Sequence, residues 1–237
     1  EDRLVERKRL LAQKKTVSAE PMNREDWMAV FALCFLCVVN VFFWAIYEQQ
    51  GNTLQLWADQ NTNWSLLGLH IPSTWYQSFN PLMIFAFAPL LNMLWTKQAK
   101  KNREPSSVTK MGIGCILCGV AYVVMIMASK AVGPTEQGSV LWLLGTTWLF
   151  TMGELYLSPI GLSLVTKVSP AKIVSMMMGM WYLSSFFGNY LTGYIGSFYE
   201  IMSKDSFFTL LFVMGIGAGL IFFAVRKPLH KILHRNV

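Results

Sequence analysis

Apolar residues come in six long runs along this chain, at about residues 27–50, 76–96, 108–131, 139–163, 173–196 and 206–226. Each is close to the roughly 20 residues that a helix needs to cross about 30 Å of hydrocarbon. The connecting pieces carry turn chemistry: Gly51 and Pro72 after the first run, Pro105 after the second, Gly133 and Pro134 after the third, Pro170 after the fourth. No run alternates with a period of two, so strands do not compete with helices. The pattern predicts an all-α membrane protein, a six-transmembrane-helix bundle over 27–226 between a basic linker at 1–26 and a basic tail at 227–237.

Composition agrees. The chain is 54% hydrophobic and 14% charged, outside the usual soluble range. Its basic residues set an orientation, because positive side chains stay on the cytoplasmic side during insertion. Arg3 to Arg24, Lys97 to Lys110, Lys167 and Lys172, and Arg226 to Arg235 hold eighteen of the 20 Lys and Arg, all on one side; Lys130 and Lys204 fall on the other. Both ends are therefore expected to be cytoplasmic, with 51–75 an external loop, in a multi-pass protein of a cell inner membrane. This asymmetry accounts for the net charge of +7. The partner that charge implies is anionic membrane lipid, with no nucleic acid.

Two features suggest chemistry that the context withdraws. Cys34-Phe-Leu-Cys37 and Cys115-Ile-Leu-Cys118 have zinc-site spacing. Both lie in apolar helical runs far apart, with no His or acid nearby, where Cys acts as a small hydrophobe. His70, His230 and His234 have no catalytic or ligand spacing. No Ser-His, paired-Asp or metal-ligand constellation is present, so neither an enzyme nor a cofactor is expected. The opening EDRLVERKRLLAQKK fits a basic amphipathic surface helix or a solvated linker, and resembles no signal or transit peptide. A chain that opens on Glu1 in this way reads as the middle of a longer protein.

Polar residues inside the runs carry the functional signal. Thr147, Thr151, Glu154 and Ser158 follow offsets of four, three and four, which puts them on one helix face. An acid at the bilayer centre costs about 2.5–3.5 kcal/mol on insertion scales, so Glu154 is expected to face water or a cation. Lys and Arg fall only at the ends of the spans, as Lys110, Lys130 and Arg226, so its partner is expected from elsewhere. Asn40, Trp44 and Glu48 share a face of the first span, followed by Gln49 and Gln50. Glu48 at the interface and Trp44 in an aromatic belt remain open alternatives. Pro81, Pro89 and Pro159 remove backbone hydrogen bonds in or near helices, as at transporter hinges and sites. Ser184, Gly188, Thr192 and Gly196, and the pair Gly215 and Gly219, make smooth stripes suited to close helix contact.

Four segments then bring a family into view. FFWAIYEQQGNTL (42–54), FNPLMIFAFAPLL (79–91), GELYLSPIGLSLVTKVSP (153–170) and MMGMWYLSSFFGNYLTG (177–193) closely resemble the second half of the proton-dependent oligopeptide transporters of the major facilitator superfamily. The resemblance covers nearly all of 27–226. It implies a twelve-helix transporter importing di- and tripeptides with protons, of which these are helices seven to twelve and whose N-terminal six-helix half is the partner. By position in those motifs, Glu154 meets the peptide amino terminus and pairs with a lysine of the other half. Asn80 and Ser158 line the same pocket, Trp44 and Trp181 shape side-chain pockets, and Glu48 joins an external gate. The family's proton-handling signature belongs to its first helix, which has no counterpart here.

Two other readings stand beside this one. The same fold carries nitrate or another small solute in relatives of the family, although an unpaired Glu154 repels an anion. A noncatalytic membrane subunit would use its acids only to pair with a partner helix.

Overall fold

The computed structural model describes residues 21–66, 69–132 and 136–233. The basic residues up to Lys15, the 1–15 amphipathic stretch, Gly133 and Pro134, and the tail end with His234 and Arg235 lie outside the described residues.

Six long helices follow the six apolar runs: α1 (Arg24–Tyr47), α3 (Phe79–Lys100), α4 (Ser107–Val132), α5 (Leu141–Val168), α6 (Val174–Gly196) and α7 (Lys204–Leu233), with the short α2 (Thr53–Asn61) between the first two. Five of the six contain stretches long and apolar enough to cross a membrane. The exception is α6, whose Ser184, Ser185, Asn189 and Thr192 dilute it.

The helix ends have local causes. Asn23 Oδ1 accepts from the Asp26 amide at 2.8 Å while Asp26 Oδ2 accepts from the Asn23 amide at 3.0 Å, a reciprocal cap that starts α1 at Arg24. The other end of α1 tightens into a 3-10 turn at Glu48–Gly51, and Tyr122 Oη of α4 donates to the Ile46 carbonyl there. Pro81 lies in the first turn of α3, where its missing N–H costs nothing, so it starts a helix and kinks none. Pro89 and Pro159 sit inside unbroken α3 and α5. Helix α7 runs to Leu233, so the expected tail at 227 begins as helix.

Backbone contact between helices sets the packing. α4 lies most extensively against α7 and then against α5, and α1 lies against α6 and α7. A methyl on Gly119 would stand 2.9 Å from the Ile216 nitrogen, and one on Gly114 2.6 Å from the Gly153 carbonyl oxygen. The Gly215 stripe foreseen in the sequence thus meets a second small surface, on α4, that the sequence analysis passed over. α3 differs: 6% of its apolar stretch is buried against 61% for the first span. It packs on α5 through Ile84, Phe87, Leu91 and Trp95 against Met152, Leu155 and Tyr156, and leaves Leu82, Phe85 and Met93 exposed.

The described residues of the expected external loop at 51–75 form short elements. After α2, β1 (Thr62–Asn63) pairs in parallel with β4 (Gly138–Ser139), and β2 (Ser65–Leu66) pairs antiparallel with β3 (Leu69–His70). Buried Trp64 donates from Nε1 to the Ala58 carbonyl at 2.7 Å, pinning the loop to α2. At the opposite end, Lys110, counted in the sequence among the basic residues of one side, is buried. It is 5% exposed in the first turn of α4, 2.5 Å from Glu104 Oε1 and 4.3 Å from the Trp95 ring centroid. An ammonium leaves water here because a carboxylate and an aromatic face replace the lost solvation.

Candidate functional site

Glu154 sits midway along α5, half-buried, on the stripe that runs through Thr147, Thr151, Ser158 and Gly161. Its carboxylate is met from two other helices. Tyr47 Oη, from the last turn of α1, donates to Glu154 Oε2, and Asn80 Nδ2, from the first turn of α3, reaches the same oxygen at 3.3 Å. The partners also bind each other: Asn80 Nδ2 donates to Tyr47 Oη at 2.7 Å, and Thr151 Oγ1 donates to Asn80 Oδ1 at 2.7 Å. The chain of donors therefore runs from Thr151 through Asn80 and Tyr47 to the carboxylate.

Beside the water or cation expected at Glu154, donors of this chain already meet it. Neutral groups hold one carboxylate oxygen, Oε2, which spares the desolvation of a second charge. Among the described residues no Lys or Arg is paired with it.

Tyr47 is the residue that sequence reasoning missed. Its ring is held by Phe43, stacked at 5.6 Å, by Trp44 edge-on at 5.5 Å and by Phe150 of α5 at 6.1 Å. These contacts leave the hydroxyl one direction to point. The available signal was the series Asn40, Trp44, Tyr47 at offsets four and three, together with the need of a buried tyrosine for a partner.

The other predicted residues fall around this centre. Trp44 packs beside Tyr47, and its buried Nε1 has no acceptor among the described residues. Ser158 is half-buried one turn along from Glu154. Trp181 of α6 is 3% exposed and lies over Gly161, two turns from Glu154 on the same stripe, where any side chain at 161 would strike its ring. Glu48 stands in the tight turn after α1, half-buried, beside Tyr47 in sequence but outside the hydrogen-bonded cluster. Asn40 turns to α6 and donates to Ser184 Oγ at 2.7 Å. Gln49 is fully buried and structural: Nε2 donates to the Thr192 carbonyl at 3.0 Å, and Oε1 accepts from Thr53 Oγ1 at 2.9 Å.

Cys37, Cys115 and Cys118 are buried, Cys34 is half-buried, and all four are free. No cluster of metal-ligating side chains occurs among the described residues. A cavity of about 660 Å³ lies apart from Glu154, between Asn63–Trp75 and Gln137–Leu144. Its described lining is aromatic, aliphatic and neutral polar.

The sequence matches the POT family over residues 3–220. The di-/tripeptide transporter of Lactococcus lactis subsp. cremoris is 32% identical over 228 residues, which are 94% of this chain and 44% of that protein. The peptide transporter YePEPT of Yersinia enterocolitica is 36% identical over 192 residues, 80% of this chain and 37% of that protein. Among solved structures, a peptide transporter POT variant in complex with alafosfalin superposes with a TM-score of 0.82 at 28% identity, covering 94% of this chain and 45% of the other. A POT family transporter in complex with 5-aminolevulinic acid gives 0.80 at 27% identity, covering 92% and 45%. The chain thus spans less than half the length of the relatives it matches.

Proposed function

This chain belongs to the POT family, and we propose that it forms the C-terminal six-helix half of a twelve-helix, proton-coupled symporter that imports di- and tripeptides by alternating access. Its residues 27–226 form the transmembrane unit, in the inner membrane of a cell, with both ends cytoplasmic. The observation that carries the reading is the intramembrane carboxylate of Glu154, held only by the neutral donors Tyr47 and Asn80 among the described residues. Such a group has one oxygen held at rest and is still able to take a cation. A peptide ammonium entering beside it adds a donor that is itself charged, an attraction that the neutral Tyr47 and Asn80 donors do not supply.

In this reading Glu154 and Asn80 receive the peptide amino terminus and Ser158 lines the same wall. Trp44 shapes a side-chain pocket and buried Trp181 backs the wall at Gly161. Glu48, outside the cluster and near the external turn, works in the gate with a cation of the N-terminal half. Two six-helix bundles rock around this central site. Each proton that enters with the peptide gains about 2.3 kcal/mol per 100 mV of membrane potential, which drives accumulation.

The test is uptake of a labelled dipeptide into liposomes holding the complete protein, with and without an inward proton gradient, beside Glu154→Gln. Gradient-driven uptake that disappears in the variant supports the reading. Unchanged uptake and pH dependence in Glu154→Gln rejects the role of this glutamate. No peptide uptake by the intact protein rejects the substrate.

A further inference from the structure

The first turn of α4 and the last turns of α7 meet at the end of the bundle that the basic residues assign to the cytoplasm. Small residues bring them together: a methyl on Gly112 would lie 3.0 Å from Phe222 Cβ, and one on Gly219 3.1 Å from the Gly112 carbonyl oxygen. About one turn further out on each helix, Ser106 and Thr109 face Arg226 and Lys227 across a cavity of about 330 Å³ lined by these four residues.

Every side chain of that lining can donate. The Ser106 and Thr109 hydroxyls are 2.9 Å apart and share one hydrogen, which leaves the other hydroxyl hydrogen of the pair free. Arg226 extends over the Phe223 ring at 5.9 Å. Among the described residues neither Arg226 nor Lys227 pairs with a carboxylate, because the ion pair found there joins Lys110 to Glu104. A planar guanidinium, an ammonium and a hydroxyl around one space suit a phosphate oxyanion.

The cavity continues into an apolar face. Val213, Gly217, Leu220, Ala224 and Lys227 recur at offsets of four, three, four and three, one line along α7. Val213 and Leu220 are each 58% exposed on it. A free phosphate has no use for that face, whereas acyl chains lie along it. Basic pockets between membrane helices on the cytoplasmic side are the usual seats of acidic headgroups. We propose that Ser106, Thr109, Arg226 and Lys227 bind the phosphate of an anionic phospholipid of the cytoplasmic leaflet, with its acyl chains along the Val213–Ala224 face of α7.

Native mass spectrometry of the complete transporter in neutral detergent tests this, with phosphatidylglycerol, phosphatidylcholine of the same chains, or inorganic phosphate added separately. Phosphatidylglycerol is expected to bind about tenfold more tightly than phosphatidylcholine, and Arg226→Gln/Lys227→Gln to lose about that factor. Lys97→Gln/Lys100→Gln removes the same charge from the end of α3 and is expected to stay within about twofold of the parent. Should the first variant fail to fold, Thr109→Val takes its place with an expected loss of about threefold. Equal binding of the two lipids overturns the site, and so does an equal loss in the Lys97/Lys100 control. Inorganic phosphate that binds alone and displaces phosphatidylglycerol overturns the lipid and leaves a free-phosphate site.

Discussion

Tyr47 and Glu154, 107 residues apart in sequence, meet as donor and acceptor at the centre of the bundle. The tyrosine ring is immobilised by Phe43, Trp44 and Phe150, so its hydroxyl is a built part of the glutamate's environment. Tyr47→Phe keeps that packing and removes only the hydroxyl, with its bonds to Glu154 and Asn80. The variant is expected to lose about 1.5–3 kcal/mol of stability, the range for hydrogen bonds to charged groups. Thermal unfolding in detergent measures it, and an unchanged midpoint would mean that the hydroxyl does not hold the carboxylate.

Asn80 serves three partners with one amide, accepting from Thr151 and donating to Tyr47 and Glu154. Asn80→Leu takes a donor from both Tyr47 and Glu154 and leaves Thr151 Oγ1 the Thr147 carbonyl at 2.8 Å, while Thr151→Val removes a single donor. The expectation is a destabilisation of about 1–3 kcal/mol for Asn80→Leu, larger than for Thr151→Val. The double variant should cost less than the sum of the two, because either single change already removes the bond between Thr151 and Asn80. Additive losses would place the residues in separate networks.

Gly119 and Gly193 are both helical glycines with opposite surroundings. A methyl at 119 meets the α7 backbone, whereas one at 193 meets nothing within 4 Å. Gly119→Val is expected to force α4 from α7 at a cost of about 1–3 kcal/mol or more. Gly193→Ala should be neutral or stabilising by up to about 1 kcal/mol through helix propensity. Ranking the two variants by thermal midpoint checks the α4–α7 interface, and equal effects would contradict it.

Lys110 and Glu104 are unequal partners, since the lysine side chain is 6% exposed and the glutamate 39%. Lys110→Met replaces the buried ammonium by an apolar chain of similar reach beside Trp95 and is expected to be nearly neutral. Glu104→Gln leaves that ammonium without its counter-charge and should cost about 1–3 kcal/mol. Greater loss in Lys110→Met would show the pair to be a net source of stability.

The six helices were legible because burial in a bilayer demands long apolar runs, and each such run became a helix within five residues of its expected limits, except that α7 runs on to Leu233. Glu154 was legible for the converse reason, that an acid in such a run has no cheap environment. Asn80, Ser158, Trp44 and Trp181 came from motifs, and the fold sets them on or beside the Glu154 stripe. Gln49 passed in sequence for one more polar group near the site, yet it turns away to bind the Thr192 carbonyl. Lys110 counted there as a loop charge, yet it is buried against Trp95. Which way a polar side chain turns depends on its neighbours across helices, and helical spacing carries no record of them.

The apolar spans, their approximate lengths and the presence of a costly central acid follow from composition and order along the chain, since each depends on transfer between water and hydrocarbon residue by residue. The donors that satisfy that acid, the meeting of Gly119 with Gly215, and the cavity walled by Ser106 and Arg226 exist only after α1, α3, α4, α5 and α7 have packed. Those are long-range relationships of distance and direction, and the backbone contacts between helices decide them.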